Sequence, residues 1–287
     1  MSAVVSTSAP SRPRRWSTLG TAALYLLFAA LALVFLLPFL LMLSDAFKSQ
    51  DEIMRIPPTL FPAHPSWQSF TTVLTQAPYL TWYRNSMLVA VGVTALTLFT
   101  SSLAGYIFAK FEFPLKNAIF ILLLSTMMVP FPVIFIPSYL VVNYFHLLNT
   151  LWALIVPSIV SAFGVFMMRQ FIGSIPNDLI EAARIDGAGE FTIYWRVIVP
   201  LVGSAMAALG IFTFLGSWND YLWPLVVIND TDKSTLPLAL TYFNSVHAQR
   251  FDLVMAATTM AIVPIVVVFV IFQRQIVDAL VMSGLKG

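Results

Sequence analysis

Residues 117–168 read NAIFILLLSTMMVPFPVIFIPSYLVVNYFHLLNTLWALIVPSIVSAFGVFMM, 52 residues without a single Asp, Glu, Lys or Arg. As one helix this stretch would run to about 78 Å at 1.5 Å per residue. The hydrocarbon core of a bilayer is only about 30 Å thick. The stretch must therefore cross twice, and the polar break Asn143-Tyr-Phe-His146-Leu-Leu-Asn149 is its natural turn.

Working outward, four more charge-free stretches appear: 16–44, with the apolar heart Ala22–Leu43, then 85–109, 197–219 and 253–273. Six crossings result, expected near 20–43, 85–109, 118–141, 147–168, 198–222 and 253–273. Composition agrees. The chain is 59% hydrophobic and 10% charged, where a soluble domain is about 45–50% apolar and about 25% charged. Apolar surface on that scale must face something other than water. Arg12, Arg14 and Arg15 ahead of the first stretch resemble a signal peptide. A signal h-region, however, is roughly 7–15 residues long and ends at a small-residue cleavage site. Here the apolar run is longer and ends in Leu41-Met-Leu43-Ser-Asp45, so it is expected to stay as a membrane helix.

Ten Lys and Arg fall on one side of these crossings (Arg12, Arg14, Arg15, Lys110, Lys116, Arg169, Arg184, Arg196, Arg274, Lys286) and five on the other (Lys48, Arg55, Arg84, Lys233, Arg250). The richer side is cytoplasmic. Both termini then lie inside, loops 44–84 and 229–252 face outward, and loop 169–196 faces the cytoplasm. Residues 1–15, basic and rich in Ser and Pro, are expected to be disordered. Pro57, Pro58, Pro62, Pro65 and Pro78 argue against long helices in the first outer loop, and Trp67, Trp82 and Tyr83 suit an interfacial belt. Net charge is +2 with scattered basic residues, which carries no nucleic-acid signature, and there is no Cys for disulfides or thiolate metal sites. His64, His146 and His247 fall in separate outer loops without metal-ligand spacing, and no catalytic set of side chains is visible.

The cytoplasmic loop 169–196 reads RQFIGSIPNDLIEAARIDGAGEFTIYWR. Gly173 and Pro176 end the preceding helix. Asn177 or Asp178 can cap a new short helix over Asp178–Asp186, with Glu181 close to a capping-box position. Gly187 and Gly189 permit a sharp turn, and a second short helix leads to Pro200. Ile180, Ala183 and Gly187 share a face, with Leu179, Ala182 and Ile185 beside it, and Glu181 and Arg184 stand at i, i+3, where they can pair with each other or with a partner's charges.

The run Glu181-Ala182-Ala183, Gly187 four residues on, and Val197-Ile198-Val199-Pro200 resembles the signature loop of ABC importer permeases, with Val197 and Val199 where Ile and Leu are usual. Ser44–Pro58, Asn85-Ser86, Trp218-Asn219-Asp220-Tyr221-Leu222-Trp223-Pro224 and Ser283-Gly-Leu-Lys-Gly287 are similar to the second permease of carbohydrate importers, the maltose-transporter-like class. The resemblance covers about residues 20–287. It implies an all-α integral membrane protein of the type I ABC importer permease fold, a bundle of six transmembrane helices, N-in and C-in, with a cytoplasmic coupling helix, in the bacterial cytoplasmic membrane.

It implies, further, a two-copy cytoplasmic ATPase that binds ATP and Mg, a second homologous permease, an extracytoplasmic solute-binding protein and a sugar-like substrate. This chain has no Gly-rich Lys-Ser/Thr phosphate loop, so it is expected to bind no cofactor and to act as a non-catalytic transport subunit. By the same resemblance Asp178, Glu181, Ala182, Ala183, Arg184, Asp186 and Gly187 couple to the ATPase, and Asp278, Lys286 and Gly287, with Arg274, make tail contacts. For the substrate path, Ser and Thr at 94, 97, 100, 101 and 102 are either pathway or packing. Trp218, Asn219, Asp220 and Trp223 are either a sugar-facing set or an interfacial anchor. An amino-acid or peptide importer and an ion-driven secondary transporter are the competing functions. The latter often shows inverted repeats and midplane acids, which this sequence does not display.

Overall fold

The computed structural model describes residues 18–246 and 250–284, with side chains for 20–241, 243–246 and 250–273. Arg12, Arg14, Arg15, the expected disorder of 1–15, His247, Lys286 and Gly287 lie outside the described residues. Arg274 and Asp278 fall on the last helix, and their side chains lie outside as well.

No strand occurs among the described residues. The main helices are α1 (Thr18–Asp45), α2 (Gln68–Gln76), α3 (Tyr79–Lys110), α4 (Lys116–Ser125), α5 (Phe131–Tyr144), α6 (Ala162–Gly173), α7 (Asn177–Ile185), α8 (Gly203–Trp218), α9 (Leu222–Val227), α10 (Leu236–Val246) and α11 (Phe251–Gly284). Of these, α1, α3 and α11 are each long and apolar enough to cross a membrane alone. Three bent pairs make up the rest: Lys116–Met128 with α5 at 105°, Trp152–Ser158 with α6 at 44°, and Glu190–Leu201 with α8 at 80°. The bundle thus has six crossings, three of them broken. Their ends are called inner and outer here after the excess of Lys and Arg.

Each break has a local cause. Pro130, between Lys116–Met128 and α5, cannot donate to the helical ladder. Pro157 interrupts the fourth crossing in the same way, and Ser161 restarts it as the N-cap of α6, its Oγ accepting from Gly164 N at 3.0 Å. A π-helical stretch over Tyr194–Ile198, then Pro200, precedes the turn into α8. The fifth crossing, expected near 198–222, is therefore not one continuous helix: the chain turns at Val202, and α8 begins only at Gly203.

Freed carbonyls inside a membrane need donors. Two hydroxyls of α3 supply them, Thr97 Oγ1 to Ser158 O at 2.9 Å and Thr100 Oγ1 to Ile159 O at 2.6 Å. This explains part of the Ser/Thr run of the second span. Close approach of α3 and α6 completes it. A Cβ on Gly164 would stand 2.3 Å from Ser101 Oγ, and one on Gly105 would stand 2.7 Å from Met168 Cβ.

The first turns of α3 fasten the outer loop. Trp82 Nε1 donates to Thr231 O at 2.8 Å, and Asn85 Nδ2 donates to Asp232 O and Ser234 O at 2.8 and 3.0 Å. Ser86 Oγ accepts from Leu236 N at 2.7 Å. Trp82 is thus a buried structural residue rather than the interfacial anchor its position suggests, whereas Trp67 is exposed. At the turn 143–149, His146 and Asn149 adopt positive φ, and Asn149 Oδ1 accepts from Asn229 N and Asp230 N at 3.2 and 3.0 Å.

Candidate functional sites

Two places on this scaffold carry chemistry, one at the inner end and one in the outer half. The inner one is α7. It begins at Asn177 after Pro176, whose fixed φ suits a helix start, and no side chain caps it. The expected capping box is therefore absent: Asn177 Oδ1 instead accepts from Lys110 Nζ at 2.8 Å, and the same ammonium reaches Ile175 O at 2.5 Å. Lys110 is the last residue of α3, so the second span ends in a clamp on the start of α7.

The far end of α7 is held to the same span by a different route. Arg184 does not pair with Glu181. Its Nε donates to Glu190 Oε1 at 2.7 Å, and Glu190 Oε2 accepts from Tyr106 OH on α3 at 2.9 Å. Glu190 takes the guanidinium in place of Glu181 because Gly187, at φ +80°, turns the chain back and brings Glu190 within reach. The Arg184 hydrogen bond holds the Glu190 carboxyl below the usual carboxylate range, against partial desolvation. One turn further along, Tyr194 OH and Ser102 Oγ stand 2.8 Å apart.

The two faces of α7 differ in burial. Ile180 is 2% exposed and packs with Met168, Ile172 and Ile193, so the Ile180–Ala183 side faces the chain's own bundle. Leu179, Ala182 and Ile185 face away, Ile185 at 86% exposure. Asp178, Glu181, Asp186 and Gly187 are exposed too, and Glu181 makes no hydrogen bond or ion pair among the described residues. Phe191 and Trp195 extend the exposed apolar surface. This side of α7 thus leaves a broad apolar area uncovered beside acidic groups.

The outer site surrounds the run 218–224, and there the four singled-out residues divide. Trp218 is 2% exposed, stacked on Phe214 with centroids 5.9 Å apart and edge-on to Tyr83. Trp223 is 5% exposed, and its Nε1 donates to Ala153 O at 2.9 Å. Both indoles are core, so neither offers a face to a sugar. Asn219 is exposed, but its amide is engaged with Leu215 O at 2.8 Å. Of the four, Asp220 alone borders a cavity. It lines this space of about 330 Å³ together with the hydroxyl-bearing residues Thr97, Ser158, Ser161, Thr213, Ser217 and Thr235. Those residues come from four separate parts of the chain, which is why the sequence alone did not group them.

A bundle of broken crossings with a clamped, outward-facing inner helix and a hydroxyl-lined cavity is the build of a transport permease. The chain belongs to the family of binding-protein-dependent transport system inner membrane components, whose model matches residues 101–281. It is a multi-pass inner-membrane protein and a transport subunit rather than an enzyme.

Among similar proteins is the arabinooligosaccharides transport system permease protein AraQ of Halalkalibacterium halodurans, 36% identical over 91% of this chain and 94% of that one. The lactose transport system permease protein LacG of Rhizobium radiobacter is 33% identical over 90% and 94%. The sn-glycerol-3-phosphate transport system permease protein UgpE of Yersinia enterocolitica is 32% identical over 88% and 92%. In fold, the chain matches a crystal structure of a bacterial ABC transporter involved in the import of the acidic polysaccharide alginate, with a TM-score of 0.80 at 22% identity, over 93% of this chain and 99% of that one.

Proposed function

We propose that this chain is one of two permease subunits of an ATP-driven importer for a sugar or sugar-like solute. Its partners are then a two-copy cytoplasmic ATPase carrying ATP and Mg, a second and homologous permease, and an extracytoplasmic solute-binding protein. The observation that carries the reading is α7, exposed on its Leu179–Ala182–Ile185 side and held at both ends to α3. The names of the related permeases support the sugar class.

The mechanics follow from the clamps. A partner ATPase grips the outward face of α7, with Glu181 free to accept a hydrogen bond from a partner Arg or Lys and Gly187 leaving room for a partner backbone. Asp178 and Asp186 border the same face, and Asp278, Lys286 and Gly287 add contacts from the tail. When the ATPase subunits close, α7 moves. Lys110 at one end and the Arg184–Glu190–Tyr106 chain at the other oblige the inner end of α3 to move with it. Helices transmit such displacement as rigid bodies, and the breaks at Pro130, Pro157 and Pro200 supply the hinges. The inner and outer gates then open in alternation.

Mass spectrometry of what co-purifies with the chain from native membranes in mild detergent tests this. An ATPase, a second permease and a binding protein are expected together. Recovery of the chain alone, under detergent that preserves other importers, overturns the reading.

A further inference from the structure

The outer cavity has properties that packing does not require. In transmembrane helices a Ser or Thr hydroxyl commonly donates back to the carbonyl four residues earlier, as Thr94, Ser102 and Thr258 do here. Thr213 and Ser217 do not. They stand at i, i+4 on α8, hence on one face, and both line the cavity without a hydrogen-bond partner among the described residues. Gly216 lines it too, and a Cβ there would meet nothing within 4 Å.

Across the cavity, Thr235 contributes to the wall, but its Oγ1 is buried behind that wall, so Thr213 and Ser217 carry the hydroxyls left open to the space. The volume lies at the lower end of the range for small-molecule sites, roughly 300–1,000 Å³. Asp220 is the only ionisable residue in the lining among the described residues, with no Lys, Arg or His beside it there.

We propose that this cavity is a solute subsite belonging to this chain, taking neutral polyhydroxylated solutes and disfavouring anionic ones. The unpaired hydroxyls of Thr213 and Ser217 offer donors and acceptors to solute hydroxyls, and Asp220 accepts from them. A sugar phosphate or a uronate would meet a carboxyl group with no balancing cation. The proposal rests on the transport reading above and narrows its solute class.

The chain has no cysteine, so Ser217→Cys places a unique thiol in the cavity. It is labelled in right-side-out membrane vesicles with two methanethiosulfonates of similar size, one carrying trimethylammonium and one sulfonate. The cationic reagent is expected to react roughly tenfold faster, after correction for their rates on a free thiol. Asp220→Asn, which keeps an oxygen for the Trp223 N–H, should abolish that preference. At least one of lactose, arabinobiose and maltose should slow labelling, and glucuronate should not. Thr213→Cys repeats the reading one turn away, and exposed Thr71→Cys is the control.

No labelling at either cavity position while Thr71→Cys reacts, equal rates for the two charges, or protection by glucuronate alone or by none of the four solutes overturns the subsite. Sugar uptake by the host with and without this chain separates the two conclusions. Uptake that depends on the chain with no protection at Ser217→Cys removes the subsite and leaves the transport reading intact. Absence of any chain-dependent sugar uptake removes the transport reading.

Discussion

Gly187 is required by its own chain's turn, and the open space beside it bears on the proposed partner. Its φ of +80° is a conformation that L side chains resist, at about 1–2 kcal/mol. Yet a Cβ there would meet nothing within 4 Å. Gly187→Ala and Gly187→Leu should therefore lower the thermal stability of the purified permease equally, by about 1–2 kcal/mol. Uptake should fall much further for Leu, because only a docked partner would meet the longer side chain; equal uptake by the two variants would remove the partner from the account. Asn85 is purely internal by contrast. It is 3% exposed and donates to two carbonyls of the outer loop. Asn85→Ala leaves both unpaired and should cost about 1–3 kcal/mol, read as a lowered melting temperature in detergent. That Asn85-Ser86 matters was legible as a resemblance, but that it pins residues 232–236 was not. Hydrogen bonds across about 150 positions of sequence leave no periodic trace.

At the scale of elements, contact between α3 and α6 depends on missing side chains. Gly164→Ala drives a methyl into Ser101, and overpacking of this kind costs typically about 1–3 kcal/mol. Its folded yield should drop, and Ser101→Gly in the same chain should restore part of it; a fully stable Gly164→Ala single variant would mean that the helices separate freely. The α7 strut gives a pH prediction. Because Arg184 holds the Glu190 carboxyl below its ordinary value, the pair's contribution is complete above the unfolded carboxylate pKa near ~4.3. It is lost as pH falls through the lowered folded value. Both side chains are partly exposed, at 42% and 46%, so solvent keeps the contribution small. The stability difference between the wild type and Glu190→Gln should stay constant from about pH 6 to pH 8 and shrink below about pH 4. A difference that changes across neutral pH would point to another titrating group. Sequence reasoning placed a helix at α7 and named its residues, but for Arg184 it offered only Glu181 or a partner's charges, not Glu190. The turn at Gly187 decided otherwise, and a turn's outcome depends on where it delivers the next side chain.

At the scale of the whole molecule, the proposed solute subsite is a space between elements. Gly216 borders that space without neighbours, so Gly216→Leu should fill it at little cost in stability. Solute uptake should fall at least about tenfold, the equivalent of 1.4 kcal/mol, while melting stays near wild type; normal uptake would mean that solute passes elsewhere. The sequence by itself determined that the chain crosses the membrane six times, which side is cytoplasmic, and that a short amphipathic helix lies before the fifth crossing. Those properties follow from transfer energy, charge bias and spacing, all of which act locally and can be read in order along the chain. Only the tertiary structure decided where the crossings bend, that Trp218 and Trp223 are core, that Asp220 borders a cavity, and that Thr213, Ser217 and Thr235 share it. These depend on side chains from distant parts of the chain competing for the same volume and the same hydrogen bonds, and packing settles that competition in three dimensions.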